Sequence, residues 1–246
     1  MTPPLDWPPS LWAAATPAGP DWPTLDESIR TDVAVIGAGF TGSSTALHLA
    51  RRGIDVTLIE AAEPGWGASG RNNGQVIPTL SRPDPDDLIA RHGAAGERLV
   101  HLIRDSAAGL FDLIRAEGID AEAEQNGWIQ PVHTPGRIRI AERRVRQWSA
   151  HGAPVDMISA QSMRERLGSD AWHGGWWNPT GGHVNPLALA RGLAGAAHRA
   201  GARVFARSPV LTMTHTSGPQ GGWLLTTARG QVRARALVLA TNAYTG

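Results

Sequence analysis

Three glycines in the run Gly37-Ala-Gly39-Phe-Thr-Gly42 and a carboxylate at Glu60 are residue types that together can hold a nucleotide. Gly37 lets the chain turn sharply, Gly39 leaves room for a pyrophosphate to approach the backbone, and Gly42 lets a helix lie close on a sheet. The N–H groups and positive dipole end of a helix opening at Phe40 and Thr41 would face the phosphates. Glu60, roughly 20 residues on, is placed to accept hydrogen bonds from ribose hydroxyls. A 2′-phosphate would be repelled by that carboxylate, and Ala61 and Ala62 supply no arginine to receive one, so the unit argues against NADP. NAD and FAD both fit it.

A glycine run of this kind carries weight only inside the right frame. Here Asp32-Val-Ala-Val-Ile36 is an apolar strand leading into the turn, and Ser43, Ser44, Thr45 and Ala46 keep the following helix thin. Gly53 stops that helix after Arg51 and Arg52, and Asp55-Val-Thr-Leu-Ile59 returns as a parallel strand that delivers Glu60. The stretch from Pro64 to Gln75 is too glycine-rich for a helix or strand and reads as a flexible loop or a backbone cradle. From Asp86 to Ala116 the apolar stripes predict two helices broken near Gly93 and Gly96.

Ile119 to Val132 predicts a hairpin turning at Asn126-Gly127 and carrying Trp128. A helix ending near Trp148 and a short one from Ser162 to Leu167 precede the Trp- and Gly-rich stretch of residues 172–183. Asn185 as N-cap, Pro186 in the first turn and Gly201 as stop then punctuate a further helix, followed by a strand at Arg203-Val-Phe205. Residues 210–215, 223–227 and 231–235 predict an antiparallel meander, and Ala236 to Thr241 a strand covered on both faces. No covering element follows that strand before Gly246, so the pattern predicts an incomplete chain.

Composition removes several function classes. A formal charge of +1 with 18% charged residues implies neither a nucleic-acid surface nor an acidic tail. All 23 basic residues are arginine, which excludes a Schiff-base lysine, pyridoxal-phosphate chemistry and a Walker-type phosphate lysine within this chain. Zero cysteines exclude a disulfide framework, a thiolate nucleophile, a thiolate metal site and a cysteinyl flavin linkage. The nine histidines show no metal-ligand spacing, so no metal site is expected. The N-terminus has no secretory pattern and no apolar run is long enough to span a bilayer; the expectation is a soluble cytoplasmic protein without membrane or nucleic-acid partners. Trp7, Trp12 and Trp22 lie along a proline-rich arm that is expected to pack back on the body.

The chain resembles the D-amino-acid-oxidase-like superfamily of FAD-dependent amine oxidoreductases, with its nearest likeness to the glutamylputrescine type. The resemblance rests on Ser10-Leu-Trp, Asp32 to Gly42, Glu60-Ala61, Gly65-Trp-Gly-Ala-Ser-Gly-Arg-Asn72, Gly127-Trp-Ile-Gln130, Gly181-Gly-His-Val-Asn-Pro186 and Ala240-Thr-Asn-Ala-Tyr-Thr245. The loop after Glu60 moves the nucleotide from NAD to FAD. The implied fold is α/β: a Rossmann-like FAD-binding domain of parallel sheet, helices and antiparallel meander, with an inserted, incomplete mixed α+β substrate domain. The expected boundaries are an N-terminal arm over 1–29, the FAD-binding domain over 30–78 and 184–246, and a helical and substrate-domain segment over 79–183.

By position, the resemblance assigns Gly37, Gly39, Phe40, Thr41 and Gly42 to the pyrophosphate, and Glu60 with Ala61 to the adenosine ribose. It assigns Ala68, Ser69, Arg71 and Asn72 to the flavin side, and Val210 to the adenine through its backbone. Ala240, Thr241 and Asn242 would pass beside the pyrophosphate. Asn73 stands where relatives tend to have glycine, and a positive φ there would crowd the turn. The implied reaction is oxidation of a small amine or amino acid at its carbon–nitrogen bond, with oxygen as electron acceptor and a missing C-terminal polypeptide completing the substrate domain. No residue is assigned a catalytic role.

Two rival readings stand beside this one: a non-catalytic FAD-binding fragment or subunit that needs another polypeptide, and an NAD-linked dehydrogenase. Blander readings are preferred for several residues. His183 reads as a structural histidine, Trp176 and Trp177 as core at least as readily as pocket wall, and Arg71 as a cofactor or loop residue rather than a carboxylate receptor. Arg137, Arg139, Arg143, Arg144 and Arg146 read as a solvated helix face, because Glu142 interrupts them.

Overall fold

The computed structural model describes residues 6–218 and 221–244. Met1–Leu5 and Thr245, the last residue of the C-terminal motif, lie outside the described residues. In chain order, α1 (Leu11–Ala15) precedes β1 (Ser28–Ile36), α2 (Phe40–Ala50) and β2 (Val56–Ile59). Then come β3 (Gln75–Val76), α3 (Pro85–His92), α4 (Ala94–Glu117), β4 (Trp128–Pro131), α5 (Ile138–Ala150), β5 (Asp156–Ile158), α6 (Ala160–Leu167), β6 (Gly175–Asn178) and β7 (Gly182–His183). The run closes with α7 (Pro186–Arg199), β8 (Arg203–Phe205), β9 (Thr212–Thr216), β10 (Gly222–Thr226) and β11 (Gln231–Leu239).

The chain folds as two compact units. The first takes the chain up to Asn73, Glu117–Glu122, and the chain from Asn185 onward; the second takes Gly74–Ala116 and Ala123–Val184. In the first unit a six-stranded sheet runs β8-β2-β1-β11-β10-β9. Its β8, β2, β1 and β11 are mutually parallel, and β10 and β9 continue antiparallel. The core beneath it gathers Leu25, Ile29, Ala34, Ile59, Phe205, Leu225 and Val232. Helix α2 buries Gly42, Ser43, Ala46, Leu47 and Ala50, small residues apart from Leu47, so α7 packs close against it.

Helix α7 begins as its sequence demands: the Asn185 side chain accepts from the Ala188 N–H at 3.1 Å, and Pro186 occupies the first turn. The short return of residues 117–122 is tied to this helix by the Asn185 N–H, which donates to the Ala121 carbonyl at 2.7 Å. The N-terminal arm does pack back. Trp22 is buried with its ring edge-on to His198 at 5.3 Å, the Trp12 indole donates to the Asn72 carbonyl at 2.8 Å, and the Arg191 guanidinium lies 5.0 Å over Trp7.

One strand, β11, replaces the two expected over 231–235 and 236–241. It pairs antiparallel with β10 as far as Ala234 and parallel with β1 through Leu239. Only β1 pairs with the last residues of β11, and Leu239 is 53% exposed rather than covered on both faces.

In the second unit a three-stranded antiparallel sheet, β4-β6-β5, packs with α5 around Trp148, Trp176, Val132, Ala141 and Val155. The break between α3 and α4 falls at Gly93, with Gly96 inside the second helix. The hairpin expected over Ile119–Val132 does not form. Residue 128 opens β4, which pairs with β6 from much further along the chain, Ile129 opposite Trp177, while Glu124 exchanges backbone hydrogen bonds with His183 at 2.9 and 3.0 Å. Gly127, at φ 92, leaves the space that the Trp177 indole nitrogen fills. Packing of that tryptophan overrides the local turn signal. Among the described residues no helix is long and apolar enough to cross a membrane.

Candidate functional site

The parallel registers of the first unit bring three strand ends to one edge. Ile36 stands opposite both Ile59 and Leu239, so the residues that follow β1, β2 and β11 converge. Backbone bonds hold them there: Gly37 N–H to Ile59 O at 2.8 Å, Ala240 N–H to Ile36 O at 2.9 Å, and Glu60 N–H to Phe205 O at 2.9 Å. A cleft of about 340 Å³ opens at this edge. Of the residues predicted from sequence, Gly37, Gly39, Glu60 and Ala61 line it from the first two strand ends, Ala68 and Ser69 from the loop, and Ala240, Thr241 and Asn242 from β11.

The glycines are needed for space. Gly37 has φ 100, and a Cβ on it would stand 2.6 Å from the Ala240 carbonyl oxygen. A Cβ on Gly42 would collide with the Gly37 carbonyl. Phe40 and Thr41 open α2, and the Phe40 N–H donates to the Ser69 hydroxyl at 3.0 Å, so the glycine-rich loop supplies an acceptor to the start of the helix.

Glu60 is half-buried in the lining of the cleft. One carboxylate oxygen accepts from the Ala38 N–H at 2.7 Å and the other from the Ala62 N–H at 3.0 Å. Burial pushes its pKa above the ordinary value, with Glu63 adding to the rise, while hydrogen bonds from Ala62, Ala38 and Ala61 pull against it. A carboxylate offers about four lone-pair sites, so acceptor capacity remains for hydroxyls of a ligand. The sequence singles out Glu60 for the ribose alone; the structure shows it holding the turn through Ala38, a contact the sequence does not announce.

The remaining predicted residues are not part of the cleft's lining. Arg71 donates from Nη2 to the Tyr244 hydroxyl at 2.7 Å and from Nε to the Gly67 carbonyl at 3.2 Å, and its guanidinium lies 4.8 Å from the Trp66 ring centroid. Asn72 ties the turn at Ala68–Gly70 by donating to the Ser69 carbonyl at 2.8 Å. Val210 packs against the sheet core. Asn73 does not have a positive φ; the neighbouring Gly74 takes that conformation, at φ 75, so no crowding arises. Trp66 and Tyr244 line the cleft without a role foreseen for either, although both belong to the motifs quoted above. In the second unit Trp176 is core, stacked edge-on with Trp128 at 5.1 Å, and His183 is exposed.

Residues 32–246 match the family described as DAO, FAD dependent oxidoreductase. The chain belongs to this family. It is 34% identical over 239 residues to gamma-glutamylputrescine oxidoreductase of Escherichia coli strain K12, a match covering 96% of this chain and 55% of that protein. A probable oxidoreductase OrdL of Haemophilus influenzae is 32% identical over 232 residues, covering 91% and 51% respectively. Among solved structures, glycine oxidase from Geobacillus kaustophilus superposes with a TM-score of 0.72 at 28% identity, over 86% of this chain and 55% of that one. The chain spans about half the length of the curated relatives it matches.

The fold is therefore the Rossmann-like, FAD-binding α/β fold of the DAO family, and the cofactor of the family is FAD. The cleft suits that group chemically. It combines a turn that only glycine can make, the positive end of α2, and a carboxylate with acceptor sites to spare beside an arginine-free pair of alanines.

Proposed function

We propose that this chain is the nucleotide-binding portion of an oxidoreductase acting on the carbon–nitrogen bond of a small amine or amino acid, yielding an imine that water hydrolyses, with oxygen as the final electron acceptor. The observation that carries this reading is the cleft in which Glu60 grips the Gly37–Gly42 turn while β11 returns alongside it. Bound FAD supplies the two-electron acceptor for this chemistry. The chain's own residues bind and orient it. Gly37 and Gly42 let the turn and α2 pack against the Ala240 and Gly37 carbonyls, Gly39 leaves room for the pyrophosphate, the positive end of α2 opened by Phe40 and Thr41 meets its charge, and Glu60 beside Ala61 accepts from the ribose.

Ala68 and Ser69 with Ala240, Thr241 and Asn242 wall the rest, and Arg71 and Asn72 brace the loop that carries them. Two names support the substrate class: the Escherichia coli relative is an oxidoreductase of an amine, and the Geobacillus kaustophilus one an oxidase of an amino acid.

The test is an absorbance spectrum of the purified chain before and after reconstitution with FAD, followed by a screen of small amines and amino acids for peroxide release. Flavin bands retained through gel filtration and peroxide from one substrate class support the proposal. A chain that stays colourless with excess FAD overturns it. The half-length coverage of relatives favours a second reading, an FAD-binding portion that turns over only with a further polypeptide. Retained flavin without peroxide from any substrate selects that reading.

A further inference from the structure

Arg143 and Arg144 of α5, with Arg82 and Arg137 ahead of that helix, play no part in the oxidoreductase reading, and the Arg144 side chain is only 15% exposed where the basic series reads as solvated. We propose that they form a binding site for a small molecule carrying two or more negative charges, phosphate or carboxylate. A groove of about 410 Å³ lies wholly within the second unit, walled by Arg82, His133, Arg137, Arg143 and Arg144 with Ile140 among its apolar surface. That volume is within the range of small-ligand sites. None of the residues lining it lines the cleft of the first unit.

Two of the guanidiniums are held in place from behind. Asp84, whose side chain is 3% exposed, accepts from Arg143 Nε at 2.8 Å and from Arg144 Nε at 2.9 Å, one bond to each oxygen. Arg144 Nη2 also donates to the carbonyls of Ser81 at 3.2 Å and Arg82 at 3.3 Å. A guanidinium fixed through Nε has little rotamer freedom left to lose when its outer N–H groups take a ligand.

Among the described residues the guanidiniums of Arg82 and Arg137 have no hydrogen-bond or ion-pair partner, and both side chains belong to exposed residues. Four guanidiniums thus share one groove with a single buried carboxylate behind it, and their mutual repulsion falls when an anion of at least two charges enters. Glu142 interrupts the basic series on α5, and the chain's formal charge is only +1, so no broad basic surface suits a nucleic acid; the groove, of small-ligand size, suits a small anion.

Isothermal titration of the full chain at low salt tests this, with inorganic pyrophosphate and with citrate as probes, each with and without excess FAD to occupy the other phosphate-binding cleft. The comparison protein is the double variant Arg82→Gln, Arg137→Gln, whose side chains hold nothing else in place; circular dichroism verifies its fold. The expected result is saturable binding of one or both probes that persists with FAD present, weakens with added salt, and drops about tenfold or more in the double variant. Pyrophosphate alone binding identifies a phosphate site, citrate alone a carboxylate site. Absence of saturable binding by either probe, or equal affinity in the folded double variant, overturns the proposal.

Discussion

Replacing Glu60 by glutamine keeps the side chain's shape and removes its charge. The carboxylate meets the Ala38 N–H with one oxygen at 2.7 Å and the Ala62 N–H with the other at 3.0 Å. A carboxamide has one acceptor oxygen, so one of these buried donors must face an NH₂ group. An unmet buried donor costs about 1–3 kcal/mol. In a chain of this size each kcal/mol lowers the unfolding midpoint by roughly 2–4 °C.

Against that loss stands the carboxylate's own burial, which raises its pKa above the ordinary 4.5. A group with a raised native pKa contributes stability that is fully present below its unfolded pKa and is lost as pH rises through the native value. The advantage of wild type over Glu60→Gln is therefore largest at acidic pH and shrinks as pH rises through the raised native pKa of Glu60. Thermal unfolding of the two FAD-free proteins from about pH 4 to pH 8 reads this directly. A gap that widens toward alkaline pH refutes the dominance of burial over the hydrogen bonds, and a gap absent at every pH refutes the grip on the turn.

Gly42→Ala drives a methyl into the Gly37 carbonyl and to 3.2 Å from the Ala240 Cβ. It is expected to cost about 1–3 kcal/mol in urea unfolding and to abolish flavin retention. The control Gly109→Ala, inside α4 with no neighbour within 4 Å, is expected to add up to about 1 kcal/mol; similar behaviour of the two variants would defeat the packing argument. Asn185→Ala removes the cap of α7 and the bond from Asn185 Nδ2 to Glu122 at 3.2 Å, with an expected loss of about 1–2 kcal/mol, and an unchanged urea midpoint would contradict it. Tyr244→Phe deletes the 2.7 Å bond to Arg71 and should weaken FAD binding by about 0.5–1.5 kcal/mol in a flavin-fluorescence titration; equal affinity would mean that this brace does not shape the cleft.

The parts of this molecule that can be read from its sequence are those whose causes are local. The turn from Gly37 to Gly42 sits between a strand and a helix whose periods are both plain, and α7 carries its cap, first-turn proline and stop within one short stretch. Glu60 follows because a strand must end at it. What escapes the sequence is decided at a distance. The Asn126-Gly127 signal loses to Trp177, which arrives from β6. Arg143 and Arg144 look solvated on a helical wheel, yet they reach Asp84, about sixty residues earlier in the chain. The brace between Arg71 and Tyr244 joins side chains 173 positions apart, and no periodicity could announce it. The last apolar run reads as a strand of its own because its hydropathy changes after Arg235, whereas backbone pairing to β1 makes it one piece with the preceding segment.

That pairing has a consequence for how the molecule is made. Strand β1 is bracketed by β2 on one side and, on the other, by β11, whose residues 231–239 are translated about two hundred positions later. Closing so long a loop adds little to the equilibrium cost, since that term grows only logarithmically, but distant pairings form slowly and await the emergence of the later strand. While the ribosome elongates the chain, one edge of β1 stands open and the more locally connected second unit, with β4, β5 and β6 within a few dozen residues of one another, assembles ahead of it. The nucleotide cleft, walled in part by Ala240, Thr241 and Asn242 just past β11, is thus complete only once the last of these strands has been made.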